Sequence, residues 1–226
     1  MISVHRTTEP PVLTRHKARW TQEYREARVA CRTNPSKTNE KHRKNAEKKY
    51  NKPQVKDALK TMCGGKCVYC ESHVPHISYG EIEHFRPKLR YPKLCFEWEN
   101  LLLGCSRCNG AEYKGTKFPL ACEGGPFINP CEEDPNTFFD FKFDPATGTA
   151  NVIPKNTRGL TTERELGLNR PDLVKHRSGV VRKLAFIALH AKNGDATALV
   201  ELKRYMQKDQ EYAAFARAFH RKFNLP

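Results

Sequence analysis

Residues 80–117 of this chain read GEIEHFRPKLRYPKLCFEWENLLLGCSRCNGAEYKGTK. A carboxylate stands beside a histidine at Glu83-His84, Asn100 follows two residues after a tryptophan, and Asn109 comes directly after a Cys-x-x-Cys pair. Carboxylate and amide oxygens are the ligands that Mg²⁺ prefers, and a histidine can accept a proton from water near neutral pH. The order of these groups predicts a catalytic unit that uses a single divalent cation.

Four cysteines flank this unit in two Cys-x-x-Cys pairs, Cys67 with Cys70 and Cys105 with Cys108. Such short knuckles turn two thiolates toward one tetrahedral ion, so the spacing predicts a structural zinc site. Cys63 is an alternative to Cys67 or Cys70 as a ligand, and a redox dithiol is the alternative to zinc. The chain has nine cysteines in all, and an odd number argues against a closed disulfide framework.

The length and the net charge of the chain limit the kind of protein that it can be. A chain of 226 residues can bury one good core, and a mean hydropathy of -0.74 with 10% aromatic residues is typical of a folded, basic, soluble protein. The net charge of +15 favours a polyanionic partner. Residues 1–60 hold 16 Lys and Arg against six Asp and Glu, so we expect phosphate binding by this arm, with a solvated helix face as the alternative.

Two further classes are disfavoured by hydropathy. No run of about 18 apolar residues occurs, which argues against a membrane span. The first fifteen residues lack the apolar centre of an export signal and are interrupted by Pro10-Pro11. We therefore expect a cytoplasmic protein.

The apolar spacing predicts helical flanks around a small mixed core. Residues 1–62 form a basic helical arm in this prediction, with one helix at 17–30, another at 54–62, and a polar segment at 33–52 that we expect to be mobile unless a partner orders it. Residues 63–120 form the core, with strands at 77–85 and 94–98 and a helix that starts at the second knuckle and carries Asn109 on its first turn.

The remainder is predicted as an added hairpin and a pair of helices. In residues 121–155, the runs 138–143 and 149–153 flank a turn and alternate like strands. In residues 156–226, Asn169 is a candidate cap for a helix that continues to Ala191, and a last helix covers 195–222. The predicted fold class is α+β, a zinc-stapled core between helical flanks.

Phosphodiester hydrolysis needs a nucleophile made from water and a cation that offsets charge on the phosphate. His84 can take the proton from water, and Glu83 with the amide oxygen of Asn109 can present hard ligands to Mg²⁺. Asn100 is placed to hold the connecting loop by backbone hydrogen bonds. Taken singly, these residues could be a surface histidine, a salt-bridge partner, a turn former and a helix cap. Their order between two knuckles favours catalysis.

The motifs Glu83-His84-Phe-Arg-Pro-Lys, Trp98-x-Asn100-Leu-Leu and Cys105-x-x-Cys108-Asn109 resemble those of the HNH endonuclease family, whose site is a ββα-metal unit. The resemblance implies that His84 is the general base, that Glu83 and Asn109 hold the catalytic Mg²⁺ or Mn²⁺, and that Asn100 orders the loop. We expect the cations interleaved with these motifs to contact nucleic acid, namely Arg86, Lys88, Arg107 and Lys114.

A narrower resemblance covers most of residues 63–180. The opening Cys-Val-Tyr-Cys-Glu at 67–71 and the segment Leu-Gly-Leu-Asn-Arg at 166–170 are similar to the PtuB family, the HNH subunits of Septu antiphage systems, and to retron-associated relatives. This implies an effector that works with a PtuA-like ATPase and cleaves invader nucleic acid, with DNA favoured. The alternatives are an HNH-fold ribonuclease and a zinc-stapled binding module without catalysis.

Overall fold

The computed structural model describes residues 1–74 and 80–226. Three helices come first, α1 (Pro11–Thr33), α2 (Lys37–Glu47) and α3 (Pro53–Cys63). The core follows with β1 (Glu81–His84), β2 (Leu101–Gly104) and the short α4 (Ser106–Asn109). The last part holds β3 (Phe139–Asp144), β4 (Thr149–Pro154), α5 (Thr157–Leu166), α6 (Pro171–Lys192), α7 (Ala196–Tyr205) and α8 (Ala213–Lys222). The predicted α+β class is confirmed. Within the described ranges, no helix is both long and apolar enough to cross a membrane.

The core hairpin pairs β1 with β2 in antiparallel register, with Glu81 opposite Gly104 and His84 opposite Leu101. Leu101, Leu102 and Leu103 are all fully buried, so β2 carries the apolar run that fixes the hairpin in the core. The predicted start of the first strand, at residue 77, lies outside the described residues. The hairpin places Glu83 and His84 at consecutive positions, and their side chains therefore leave opposite faces of β1.

The prediction of a second strand at 94–98 is wrong. Residues Pro92–Leu94 and Trp98–Asn100 are single 3-10 turns, and the strand begins only at Leu101. The Arg6 guanidinium binds carbonyls of the second turn, donating to Trp98 O at 2.7 Å and to Glu99 O at 2.5 Å. A carbonyl bound in this way is not available to a sheet ladder, and the local pattern of residues 94–98 does not show this.

The segment 33–52, expected to be a mobile loop unless a partner orders it as a helix, forms helix α2 at its centre in the structure without a partner. The Ser36 hydroxyl accepts a hydrogen bond from the Asn39 amide and caps the helix. The pairs Arg43–Glu47 and Glu40–Lys44 are one helical turn apart along its surface. One small residue, Ala46, is buried against the rest of the molecule. Two ion pairs, a cap and one buried alanine therefore replace the apolar stripe that sequence patterns detect.

The C-terminal region confirms the predicted β3–β4 hairpin but corrects two helix boundaries. The Asn169 amide exchanges hydrogen bonds with the Val152 backbone at 2.9 and 2.7 Å, so it ties α6 to β4 and does not cap the helix. The single helix predicted for 195–222 is divided in two. Tyr212 adopts a left-handed φ of 53°, and Phe215 then packs edge-on against Phe141 of β3 at 5.5 Å between ring centroids.

Candidate functional site

The four cysteines of the two knuckles converge on one point. The ligand atoms of Cys67, Cys70, Cys105 and Cys108 all lie within 4.8 Å of one another, and all four side chains are buried. Val68 N donates to Leu103 O at 2.9 Å, which ties the first knuckle to β2. Four buried thiols arranged in this way could bind a metal ion, and the donor set fits tetrahedral zinc. Cys63 is buried outside this cluster, so the alternative ligand set does not form.

A buried carboxylate, Glu71, directly follows the first knuckle. Its oxygens pair with the Lys66 ammonium at 3.3 Å and with the N-terminal amine. Burial by itself would raise the pKa of Glu71, but the two cations outweigh it and lower the pKa to about 2. Lys66 Nζ also donates to Gln210 O at 2.6 Å, so the knuckle is joined to the segment between α7 and α8. Sequence reasoning missed this role, because one partner of Glu71, the N-terminal amine, lies seventy residues away in the chain.

A cleft of about 520 Å³ lies at the hairpin. Its lining includes the three polar side chains predicted to be nearest the chemistry, Glu83, His84 and Asn109. Helix α2 and the turn after it also contribute, through Arg43, Glu47 and Tyr50. The basic arm is therefore part of the cleft wall.

His84 is held as a neutral imidazole with one nitrogen committed. Its Nε2 donates to Cys95 O at 2.9 Å, since a carbonyl can only accept. In residues 1–74 and 80–226, Nδ1 has no hydrogen-bond partner and remains an acceptor. Burial first, and then the Lys88 charge, lower the pKa of His84 to about 3, against a weaker opposing effect of the carbonyl. The edge of the Tyr50 ring covers the imidazole at 4.5 Å.

Asn100 lies under the loop that connects the two strands. Its Oδ1 accepts from Arg86 N at 2.7 Å, and its Nδ2 donates to Arg86 O and Leu94 O, both at 3.0 Å. Three hydrogen bonds from one buried amide fix the backbone two residues after His84.

Glu83 and Lys114 form a buried ion pair on the opposite face of β1. The Glu83 side chain is 3% exposed and the Lys114 side chain is 0% exposed, and the Lys114 ammonium also donates to His84 O at 2.9 Å. Burial raises the pKa of Glu83 and the Lys114 charge opposes that shift. The expectation that Lys114 contacts nucleic acid is wrong, because its charge is enclosed in the protein.

Asn109 reaches the same face from α4. A Cβ placed on Gly104 would lie 3.3 Å from Glu83 Cβ and 3.6 Å from Asn109 Cβ, so these two side chains both lie against Gly104. Asn109 Nδ2 donates to the exposed Glu81 at 2.6 Å, which orients the amide. Sequence reasoning missed Glu81, although the two-residue period of a strand places it on the face of Glu83.

The other three predicted nucleic-acid contacts lie at or near the surface. Arg86 is exposed and stacks over Phe118 at 5.1 Å. Lys88 is partly buried and donates to Tyr50 OH at 3.0 Å. Arg107 is half exposed, 3.3 Å from Glu112 and 3.6 Å from Asp172. These cations can reach a ligand in solution.

The residues that form this site are also the ones that match a known protein family. The HNH endonuclease family matches residues 67–115, which hold both knuckles, the hairpin and α4. The chain is 32% identical to the Septu protein PtuB of Bacillus mycoides (strain KBAB4), over 92% of this chain and 76% of that protein.

The chain belongs to the PtuB family. A second PtuB, from Bacillus thuringiensis, is 34% identical over 76% of this chain and 56% of its own length. The HNH protein of retron Vc95 from Vibrio cholerae serotype O1 biovar El Tor is 30% identical over 62% of this chain and 69% of its own. The predicted HNH and PtuB resemblances are confirmed, and the chain is an HNH endonuclease.

PtuB similarity reaches beyond the HNH match. The match to the HNH endonuclease family ends at residue 115, whereas the Bacillus mycoides relative aligns over 92% of the chain. Most of the arm and of the C-terminal helices is therefore shared in sequence with that relative.

Proposed function

We propose that this PtuB-family chain is a divalent-metal-dependent endonuclease that hydrolyses phosphodiester bonds, preferably in DNA, as the effector of an ATPase-coupled defence system. The observation that carries the proposal is the state of His84. Its Nε2 is bound to Cys95 O, its Nδ1 is left as an acceptor, and it lines the same cleft as Glu83 and Asn109. That is the arrangement of a general base beside a set of oxygen ligands.

His84 is the base in this mechanism. The hydrogen bond from Nε2 to Cys95 O fixes the tautomer, so the lone pair of Nδ1 accepts the proton of the attacking water. The low pKa keeps the ring unprotonated at neutral pH. Asn100 holds the backbone after His84 and so keeps the imidazole aimed at the cleft. Asn100 is a positioning residue here, since it touches the loop and not the cleft.

Glu83 and Asn109 would hold Mg²⁺ or Mn²⁺, and Glu81 lies beside them. Carboxylate and amide oxygens are hard donors, which fits such ions better than softer ones. The cation, when bound, would offset negative charge on the phosphate and on the leaving oxygen. Burial raises the pKa of Glu83, and the Lys114 ammonium beside the carboxylate opposes that rise. The cysteine cluster would hold zinc as a structural ion.

Arg86, Lys88 and Arg107 would contact phosphates at the rim of the cleft. The partner, a PtuA-like ATPase, is proposed from membership of the PtuB family. We place the protein in the cytoplasm, because nine unpaired cysteines suit a reducing compartment.

The test compares wild-type protein with His84→Ala and with His190→Ala, an exposed histidine on α6 that serves as the matched control. Each is incubated with plasmid DNA or with total RNA, in Mg²⁺, Mn²⁺ or EDTA, with and without the ATPase. We expect DNA cleavage that EDTA and His84→Ala abolish and that His190→Ala leaves unchanged. Cleavage that survives His84→Ala in a clean preparation would refute the assignment of the base. RNA as the preferred substrate would refute the DNA preference alone.

A further inference from the structure

A second cleft, of about 440 Å³, adjoins the catalytic one. Helix α1 contributes Arg25, Arg28 and Arg32 to it, and α2 contributes Arg43. Arg43 and Leu89 line both clefts, so the two are neighbours along one surface. We call the four arginines and the depression they line the arginine groove.

The arginine groove differs in charge from the catalytic cleft. The catalytic cleft mixes acids and bases, whereas the lining of the groove has four arginines and no carboxylate. Arg25, Arg28 and Arg32 are spaced by three and four residues, which places them on one stripe of α1. The described parts of the chain give Arg25 and Arg32 no ion pair, and both are exposed. Their positive charge is therefore available to a ligand.

A solvated helix face is the ordinary explanation for such a run of charge, but two features oppose it here. The surface is concave, and its floor holds apolar side chains that remain open to solvent, Val29 at 52% and Leu89 at 50% exposure. A positively charged groove that follows the backbone is typical of proteins that bind a nucleic-acid strand, and the two aliphatic side chains add apolar contact area. Another part of α1 shows the ordinary pattern, with Arg19 and Lys49 both paired with Glu23.

The junction between the clefts also carries charge. Arg43 Nη1 lies 2.5 Å from Glu47, and Glu47 lies 4.0 Å from Lys88, which is beside the proposed base. Cationic side chains thus continue from the catalytic cleft across Arg43 to α1. A guanidinium can bind a phosphate through two parallel hydrogen bonds, so the exposed Arg25 and Arg32, which have no ion pair among the described residues, each offer one place for a backbone phosphate.

We propose that the arginine groove binds the phosphate backbone of the strand being cut, on one side of the scissile bond. The proposal rests on the proposed nuclease function and adds a direction to it: the strand runs from the catalytic cleft past Arg43 and along α1. The arm is then a clamp for flanking nucleotides, and the groove should matter only for substrates long enough to reach it.

The experiment measures DNA binding in the His84→Ala background, so that no cleavage occurs. The double variant Arg25→Ser/Arg32→Ser is compared with Arg15→Ser/Arg19→Ser, which removes the same charge from the same helix outside the groove lining. Fluorescent oligonucleotides of about 4 and about 20 nucleotides are titrated at several salt concentrations, because site sizes of nucleic-acid grooves fall in this range. Thermal melts confirm that both variants are folded.

We expect the groove variant to weaken binding of the long oligonucleotide about tenfold and to reduce its salt slope by about two, one for each lost phosphate contact. Binding of the short oligonucleotide should stay within about twofold of the parent. The control variant should change neither. Equal weakening by both variants would show a general effect of net charge and would overturn the proposal, as would unchanged binding in both.

These outcomes are separable from the proposed function. The groove is tested by binding alone, whereas the nuclease assignment is tested by the loss of cleavage in His84→Ala and in EDTA. An intact groove effect with cleavage that ignores His84 would overturn the mechanism only. Cleavage that depends on His84 with no groove effect would overturn the strand path only.

Discussion

Helix α2 lines the cleft at the core hairpin, and the cysteine cluster is tied to strand β2 of that hairpin. The two regions are held in place by different kinds of contact. Around the cluster, polar groups are buried and each has a specific partner, as with Glu71 between Lys66 and the N-terminal amine. Helix α2 is held by a cap, by the exposed pair Glu40–Lys44, by the partly buried pair Arg43–Glu47 and by one buried alanine. Buried polar groups admit few arrangements, whereas surface pairs can be exchanged at little cost.

This difference predicts that substitutions around the cysteine cluster lower the stability of the fold far more than substitutions in α2. The largest effect is expected for Cys108→Ser, because binding of structural zinc contributes on the order of 10 kcal/mol to the folding of small sites. We expect loss of bound zinc and loss of the cooperative thermal transition, measured by elemental analysis and by circular dichroism. Cys122→Ser removes an exposed thiol outside the cluster and is the control. Native protein that contains no zinc would contradict this prediction.

The next effect is expected at the buried pair behind His84. Lys114→Met leaves the buried Glu83 carboxylate without a counter-ion, and losses of about 3–5 kcal/mol are usual for such changes. Urea unfolding measures the free energy of unfolding, and Lys117→Met, which removes the half-exposed partner of Glu165, is the control. If the loss arises from the stranded charge, adding Glu83→Gln to Lys114→Met should restore part of it. A double variant as unstable as the single one would point to packing.

A smaller effect is expected for the cap of α2. Ser36→Ala removes the acceptor of the Asn39 amide and should destabilise the helix by about 1 kcal/mol. Ser36→Asp keeps a capping oxygen and should be close to wild type. Hydrogen exchange of the α2 amides detects the change locally, since a frayed surface helix need not lower the global transition. Equal exchange in both variants would show that the tertiary contacts of Ala46 hold the helix.

The same contrast explains which features the sequence could predict. The knuckles, β1, α4 and the β3–β4 hairpin are local patterns of two to six residues, and spacing identifies them. Helix α2 has one buried residue, so periodicity has no stripe to detect. The turns before β2 depend on Arg6, more than ninety residues away in the chain. Long-range polar contacts of this kind leave no local signature.

The candidate site also has features that local patterns predict and others that they do not. Motif order placed Glu83, His84 and Asn109 at one cleft, as the structure has them. It did not indicate that Lys114 is enclosed, because a lysine in a loop is exposed far more often than it is buried. Burial of a charge depends on a partner, here Glu83, thirty-one residues earlier in the chain. The convergence of these three side chains on one cleft was predictable from the motifs, and the buried ion pair behind it was not.

The smallest effect on stability is expected on the open face of the arm. Lys41 and Lys48 are exposed, and the described residues offer neither ammonium a carboxylate partner, so Lys41→Ser/Lys48→Ser should change the free energy of unfolding by less than about 0.5 kcal/mol. The same variant should weaken nucleic-acid binding and lower the salt slope by about one for each lysine that contacts a phosphate. Lys183→Ser/Lys203→Ser removes the same charge from α6 and α7 and is the control. An unaltered salt slope would show that these two lysines are solvated surface residues that do not contact phosphate. Phosphate binding would then depend on the other cations of the arm and of the cleft rim. A lowered slope with unchanged stability would show that the arm, unlike the cluster, carries charges that serve binding and contribute nothing measurable to the fold.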